Sequence, residues 1–353
     1  MRRRHFAALG LAVLLALSLA GCGGEKAEEE RTSGLYYEAC GISPDAVLLT
    51  VDGREVPAWR YLYWLTWGCD QLSEAYDEAG LTLDWSETVE GTDLAAYVRQ
   101  QALDNTALYA TVENWAEQYQ VEITEADQPE LDSLWAKQAE EAGGEEEYLA
   151  QMADRGLERS EAEALCADAL LYRKLSQLSA ESGSAVAPAA GAVEAFAQEQ
   201  GYLTLEWLVV PVDEEADRES CRQQAASLFS QINASTDPAA AFAALEETYG
   251  TGEGGRTFLP GRGILPAAVE EAAETLEEDQ WSGILEADDG FYLLLRRPLD
   301  TGAVAADYFD SRLQQAAQEA DITTTSTFDA LEVPAFYERL TAARDRAEED
   351  GET

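Results

Sequence analysis

Histidine occurs once in this 353-residue chain, at His5, and cysteine five times, at Cys22, Cys40, Cys69, Cys166 and Cys221. That imidazole lies in the N-terminal segment expected below to be removed, and without it no Ser-His-Asp or Cys-His pair and no histidine-ligated zinc site can be built. No cysteine falls in a CxxC, which argues against a zinc knuckle or a thioredoxin-like dithiol. Glu145-Glu146-Glu147 and Glu277-Glu278-Asp279 lack the spacing of a calcium loop and read as solvated faces, and Asp288-Asp289-Gly290 reads as a hairpin turn. No metal and no cofactor is therefore expected. The chemistry left is that of aromatic surface, carried by eight Trp and 15 Tyr. Two groups stand out: Trp59, Tyr63, Trp64 and Trp67 at helical spacing, and Trp207 and Tyr292 on two separate apolar runs.

The first residues read as an address. Arg2, Arg3 and Arg4 form a positive n-region and Phe6 to Leu17 an apolar h-region too short to span a bilayer comfortably. Leu19-Ala20-Gly21-Cys22 resembles the lipobox of bacterial lipoproteins. That resemblance implies cleavage before Cys22, a diacylglyceryl group on its thiol, and a tether to the outer face of a membrane, since two acyl chains anchor where one is marginal. Residues 1–21 are thus expected as a signal peptide and 22–44 as a flexible tether, with folding beginning near Pro44. Processing would also remove His5, the only imidazole. An extracytoplasmic site permits disulfides; Cys40 and Cys69 are the pair nearest in sequence, but four cysteines allow three connectivities. Cys166, among apolar helical neighbours, reads as a small buried hydrophobe.

Composition narrows the partners. The formal charge is −46, and loss of the three arginines would deepen it. Such a field repels phosphate backbones and anionic head groups, so no nucleic-acid partner is expected.

The elements that must position the aromatics follow from periodicity. Val47 to Val51 is a short strand closed by Asp52-Gly53, after which Val56-Pro57 launches a helix bearing Trp59, Tyr63, Trp67 and Gln71 four apart. Helices are expected at about 92–119, capped by Thr92 and Asp93, then from a capping box of Thr124 and Asp127, and at 145–154, 160–180 and 190–199. Tyr202 to Val210 is the best strand signal in the chain. Helices near 214–232 and 239–248, a glycine-rich stretch at 250–255, a helix from Pro266 to Leu276 and a hairpin across residues 281–296 complete an α+β unit. The tail reads as helical from about 303 to 320 and from 334 to 349. The fold class is α+β: a mainly helical domain at 45–200, a small α+β domain at 201–299 with an antiparallel sheet, and a C-terminal helical segment at 300–353 packing back on the first domain.

That order, with the Val51-Asp52-Gly53-Arg54-Glu55-Val56 opening and the Val121-Glu122-Ile123-Thr124 helix start, resembles the SurA and PrsA group of extracytoplasmic foldases. In that group a helical chaperone domain is joined to a parvulin-type peptidyl-prolyl isomerase domain. Leu205 to Val210 falls where parvulins have their first strand, and Ala241-Phe242-Ala243-Ala244-Leu245 with Tyr249-Gly250 is similar to a family helix. Gly254-Gly255, Gly263-Ile264-Leu265-Pro266 and Gly290-Phe291-Tyr292-Leu293 match its glycine pair, loop and closing strand. The positions that line the parvulin pocket read here Trp207, Thr251, Leu265, Val269 and Tyr292, without the family's histidines, its Cys or Asp, or its Met and Phe. The resemblance implies a chaperone of unfolded or partly folded secreted polypeptides whose isomerase domain is catalytically degenerate. Trp59, Tyr63, Trp64 and Trp67 are its client-binding candidates. Trp207 and Tyr292 also read as core aromatics packed across a sheet. The rival readings are an active prolyl isomerase and a substrate-binding lipoprotein, the latter needing strand-helix alternation across two lobes.

Overall fold

The computed structural model describes residues 31–89, 91–212, 217–250 and 255–351. The segment read as a signal peptide, Cys22 and Thr251 lie outside the described residues. In chain order the elements are α1 (Leu35–Cys40), β1 (Val47–Val51), β2 (Arg54–Pro57), α2 (Ala58–Glu78), β3 (Thr88–Val89), β4 (Thr92–Asp93) and α3 (Leu94–Gln118). Then come α4 (Gln128–Ala142), α5 (Glu145–Asp154), α6 (Arg159–Ala180) and α7 (Ala192–Gln200). The α+β stretch holds β5 (Leu203–Pro211), α8 (Arg218–Ala234), α9 (Pro238–Tyr249), β6 (Arg256–Phe258), α10 (Ala267–Glu274), β7 (Leu285–Ala287) and β8 (Gly290–Arg297). The chain closes with α11 (Thr301–Glu319), β9 (Ile322–Thr324), α12 (Ser326–Asp329) and α13 (Val333–Gly351). The fold is α+β and mainly helical, and every strand pair among the described residues is antiparallel. No helix among those residues is long and apolar enough to cross a membrane.

The chain divides into two compact units. One comprises residues 31–106, Glu146–Arg159 and the segment from Ile322 onward; the other comprises Ala107–Glu145 and Ser160–Asp321.

In the first unit, Asp52 and Gly53 hold φ values of 52° and 83°. A two-residue hairpin turn requires that left-handed pair. It pairs β1 with β2, Val51 opposite Arg54. The helix expected from Val56-Pro57 begins one step later. Arg54–Pro57 are extended, and Pro57, lacking an N–H to offer the ladder, ends β2 just before Ala58 starts α2. A strand absent from the sequence reading, β9, pairs with the other edge of β1, Leu49 opposite Thr324, giving the order β2-β1-β9. Asp93 caps α3 by accepting from the Ala96 N–H at 2.7 Å.

The segment read as a tether to residue 44 carries a folded element at its end. Leu35–Cys40 form α1, in which Tyr36 and Ala39 are fully buried. The Tyr36 ring lies 6.4 Å from that of Phe336 on α13, and its hydroxyl donates to the Arg155 carbonyl. Gly156, at φ 80°, is required beside it, because a Cβ there would stand 2.6 Å from the Tyr36 ring. A six-residue helix cannot hold itself; burial of one tyrosine against α13 supplies the packing that makes it persist.

The second unit contains a four-stranded sheet in the order β6-β5-β8-β7. β5 and β8 run antiparallel with Leu205 opposite Arg296, Trp207 opposite Leu294 and Val209 opposite Tyr292. Alternation then sends Leu208, Val210, Phe291 and Leu293 to one face, where they bury against Leu228 of α8 and Phe242 of α9. The helices of this unit have their own core of Val112, Leu175, Phe309 and Leu313. Thr124 and Asp127 form the expected capping box, but it opens a single 3-10 turn at Glu125–Asp127 that leads into α4, with Pro129 in its first turn. Cys40, Cys69, Cys166 and Cys221 are all free thiols.

Candidate functional site

The sheet face opposite α8 and α9 is where the pocket-equivalent residues meet. Trp207 and Tyr292 stand on neighbouring strands, and the stretch from Ile264 through α10 brings Leu265 and Val269 onto them. With Phe258 from β6 the four form one buried cluster, Trp207, Leu265 and Tyr292 each 6% exposed and Val269 fully buried. The Trp207 and Phe258 rings meet edge to face at 6.3 Å. Thr251, the fifth pocket position, is outside the described residues.

Two polar devices fix this face. The buried Glu270 carboxylate accepts from the Gly261 N–H at 2.7 Å and the Leu265 N–H at 3.1 Å, which pins the loop that carries Leu265. The Tyr292 hydroxyl donates to Asp289 Oδ2 at 2.8 Å in the hairpin turn of its own strand. Burial first, then the Asp289 carboxylate, push that phenol well above its ordinary range, so it stays neutral and keeps the proton it donates to Asp289. Nothing in the cluster is a nucleophile or a base at neutral pH. It is a packed apolar layer.

Phe258, Asp289 and Glu270 escaped the sequence reading. The first lies on a three-residue strand too short to show alternation, while the second was read only as part of a turn. Glu270 is an acid on the apolar side of an eight-residue helix, a pattern that marks a carboxylate with backbone partners.

The second candidate group lies on α2 in the first unit. Trp59 is buried, with the Arg60 guanidinium 4.9 Å from the centre of its ring. Tyr63 and Trp64 are half-buried and meet edge-on at 4.9 Å. Trp67 is 41% exposed and stands edge-on to Trp64 at 6.1 Å. The structure therefore separates Trp59, which is core, from a surface-reaching run of three rings. Gly68 brings α3 close, with Val98 Cγ1 3.0 Å from where its Cβ would sit, so Tyr97, 41% exposed, belongs to the adjoining turn of α3. Leu81 and Val89, in the connection between the two helices, are 60% and 46% exposed. Sequence periodicity singled out the tryptophans; Tyr97, Leu81 and Val89 carried no such signal, because singly exposed apolar residues follow no period.

No group of His, Cys, Asp or Glu among the described residues has the arrangement of a metal site.

No protein-family model matches this chain, and no curated protein matches it. Solved structures do align with it. The foldase protein PrsA from Streptococcus pneumoniae aligns over 73% of this chain and 92% of its own, at 18% identity and a TM-score of 0.28. PrsA from Bacillus subtilis aligns over 86% and 94%, at 12% identity and a TM-score of 0.24. A structure of the SurA-like chaperones PEB4 and Cj1289 of Campylobacter jejuni aligns over 80% and 99%, at 11% identity and a TM-score of 0.24. At superpositions this loose, no residue role is transferred from them.

Proposed function

We propose that this protein is a membrane-tethered extracytoplasmic chaperone that binds unfolded or partly folded secreted polypeptides, and that its parvulin-like sheet, at about 201–299, has little or no isomerase activity. The observation that carries the binding half is the aromatic run of α2. Tyr63, Trp64 and Trp67 climb from half-buried to exposed, beside Tyr97, and every large hydrophobic side chain found exposed among the described residues lies in this first unit. Apolar surface gathered into one exposed patch, as distinct from scattered single side chains, is what marks a partner site. Aromatic rings suit a promiscuous partner, since they offer large contact area for little conformational entropy. The lipobox at Leu19 to Cys22 supports the tether, and the charge of −46 keeps the folded units away from anionic head groups.

The isomerase half is weighed against the sheet. Lowering a barrier of about 20 kcal/mol to rotation about an X–Pro bond requires a slot that desolvates the amide and favours its twisted form. Here Trp207 and Tyr292 occupy the face on which that slot would open.

The test is aggregation of a reduced secreted client in the presence of the purified protein. Equimolar protein should delay aggregation, and Trp67→Ala should shorten the delay at least about twofold. A protein that neither delays aggregation nor cross-links to the client sinks the proposal. In a protease-coupled proline-peptide assay, no acceleration is expected at catalytic concentrations. Acceleration that changes in Trp207→Ala or Tyr292→Ala would favour the active-isomerase reading.

A further inference from the structure

The exposed side of α2 changes character along its length. At 3.6 residues per turn, Trp67, Gln71, Glu74 and Glu78 stand within about 40° of one line down the helix, and all four are exposed. That line begins in rings, with Trp64 edge-on to Trp67 at 6.1 Å, passes an amide and ends in two carboxylates. At 1.5 Å per residue, Glu74 lies about 10 Å and Glu78 about 16 Å beyond Trp67. The same order recurs on α3, where Tyr97, Gln101 and Asp104 are exposed at the same spacing. The sequence places no Lys or Arg between Arg60 and Arg99, and both of those turn inward. Arg60 is 6% exposed beside the Trp59 ring, and Arg99 donates to the Phe328 and Leu331 carbonyls. Arg155 lies near Tyr63, at the end of the ring run away from the acids. Arg344 of α13 forks onto Asp70 at 2.8 and 3.0 Å, and among the described residues no Lys or Arg pairs with Glu74 or Glu78.

We propose that this stripe selects client segments that carry a basic residue a few positions from an apolar one, the apolar side chain seated on Trp64 and Trp67 and the lysine or arginine reaching Glu74 and Glu78. The proposal rests on the client-binding reading of α2 and adds to it the chemistry by which clients are told apart. An extended chain advances about 3.3 Å per residue, so the 10 to 16 Å between ring and carboxylates spans about three to five of its residues. Lysine and arginine suit the passage between them, because their apolar stems lie along a stripe while their tips stay in water. The exposed faces of Trp67 and Tyr97 attract the same cations. Ion pairs this open to solvent add little affinity, so the rings hold the client and the acids choose it. An acidic segment on the same rings would meet like charge at the far end of the stripe.

The test measures anisotropy of three labelled heptapeptides, Leu-Phe-Leu-Gly-Ser-X-X with X lysine, glutamine or glutamate, added to the purified full chain. The lysine peptide should bind about tenfold more tightly than the glutamate peptide, with glutamine between. The double substitution E74Q/E78Q, at two exposed positions, should cut that ratio about fivefold. E277Q/E278Q, which removes the same charge from exposed positions in the second unit, should leave the ratio as it was. Trp67→Ala should weaken the lysine peptide about fivefold. Equal binding of the lysine and glutamate peptides overturns the proposal, as does a ratio that survives E74Q/E78Q. A ratio lowered as much by E277Q/E278Q would belong to the field of the whole chain and overturns it too, and unchanged binding in Trp67→Ala would do so by placing the peptide off α2. In each of these cases a protein that still delays client aggregation keeps the chaperone reading. Binding of none of the three peptides, with no delay of aggregation, removes both.

Discussion

Aromatic side chains of the same kinds end in opposite environments on α2 and on the four-stranded sheet. Trp67 is 41% exposed, whereas Trp207 and Tyr292 are each 6% exposed. The difference comes from the period of the element that carries them. On a helix of 3.6 residues per turn, rings spaced four apart advance about 40° around the axis at each step. Trp59, Tyr63 and Trp67 therefore wind from the buried side of α2 to its open side, in the order buried, half-buried, exposed. A strand has a period of two, and alternate residues never leave their face. Leu205 and Trp207 of β5 share one buried cluster with Val269 of α10, Val209 packs against it, and Tyr292 and Leu294 of β8 join them. One spacing gives a ramp from core to surface; the other gives a closed layer.

Truncating a residue in the closed layer should cost most. Trp207→Ala removes a buried indole that packs on Phe258, and should lower unfolding free energy by roughly 3–5 kcal/mol in a denaturant titration. A loss below about 1 kcal/mol would mean that this face is an open slot and would erase the contrast with α2. Tyr292→Phe keeps the ring and deletes only the donor to Asp289, so about 1 kcal/mol is expected.

A smaller effect should appear only through pH. The Asp127 carboxyl is held down to about 2, first by the Lys174 ammonium at 2.7 Å and then by the Thr124 N–H and hydroxyl. Its folded value lies below its unfolded one of about 4, so the carboxylate stabilises fully above pH 4, and that contribution disappears as pH falls through 2. The melting temperature of Asp127→Asn should trail that of the unsubstituted protein at pH 7 and converge with it near pH 2. A gap that persists at pH 2 would remove the ionised carboxylate as its cause. Smallest of all, Trp67→Ala should change stability by no more than about 0.5 kcal/mol while shortening the protection of an aggregating client. A large stability loss there would return Trp67 to the core and leave α2 no different from the sheet.

Much of this arrangement was legible in the chain. The β5 run, the Asp52-Gly53 turn, the hairpin turn before Phe291, the helices at 145–154 and 160–180 and the Thr124–Asp127 box all announced themselves through local propensity. Trp207, Leu265, Val269 and Tyr292, which came from the family resemblance and not from local propensity, are brought into one cluster by the sheet and α10. What escaped shares one property. β2, β6, β9 and α1 span only three to six residues, fewer than periodicity needs, and each exists because a longer element offers it an edge or a face. Leu49 gives Thr324 its ladder partner, and Phe336 gives Tyr36 its wall.

By itself the sequence determined the acidic field and the two apolar runs that carry Trp207 and Tyr292. Tertiary structure alone decided which aromatics stay open. The number of rings on α2 and on the sheet is set by the chain, but exposure depends on whether another element covers them. α10 closes over Trp207 and Tyr292 on the sheet, while Trp67, edge-on to Trp64, keeps 41% of its surface open.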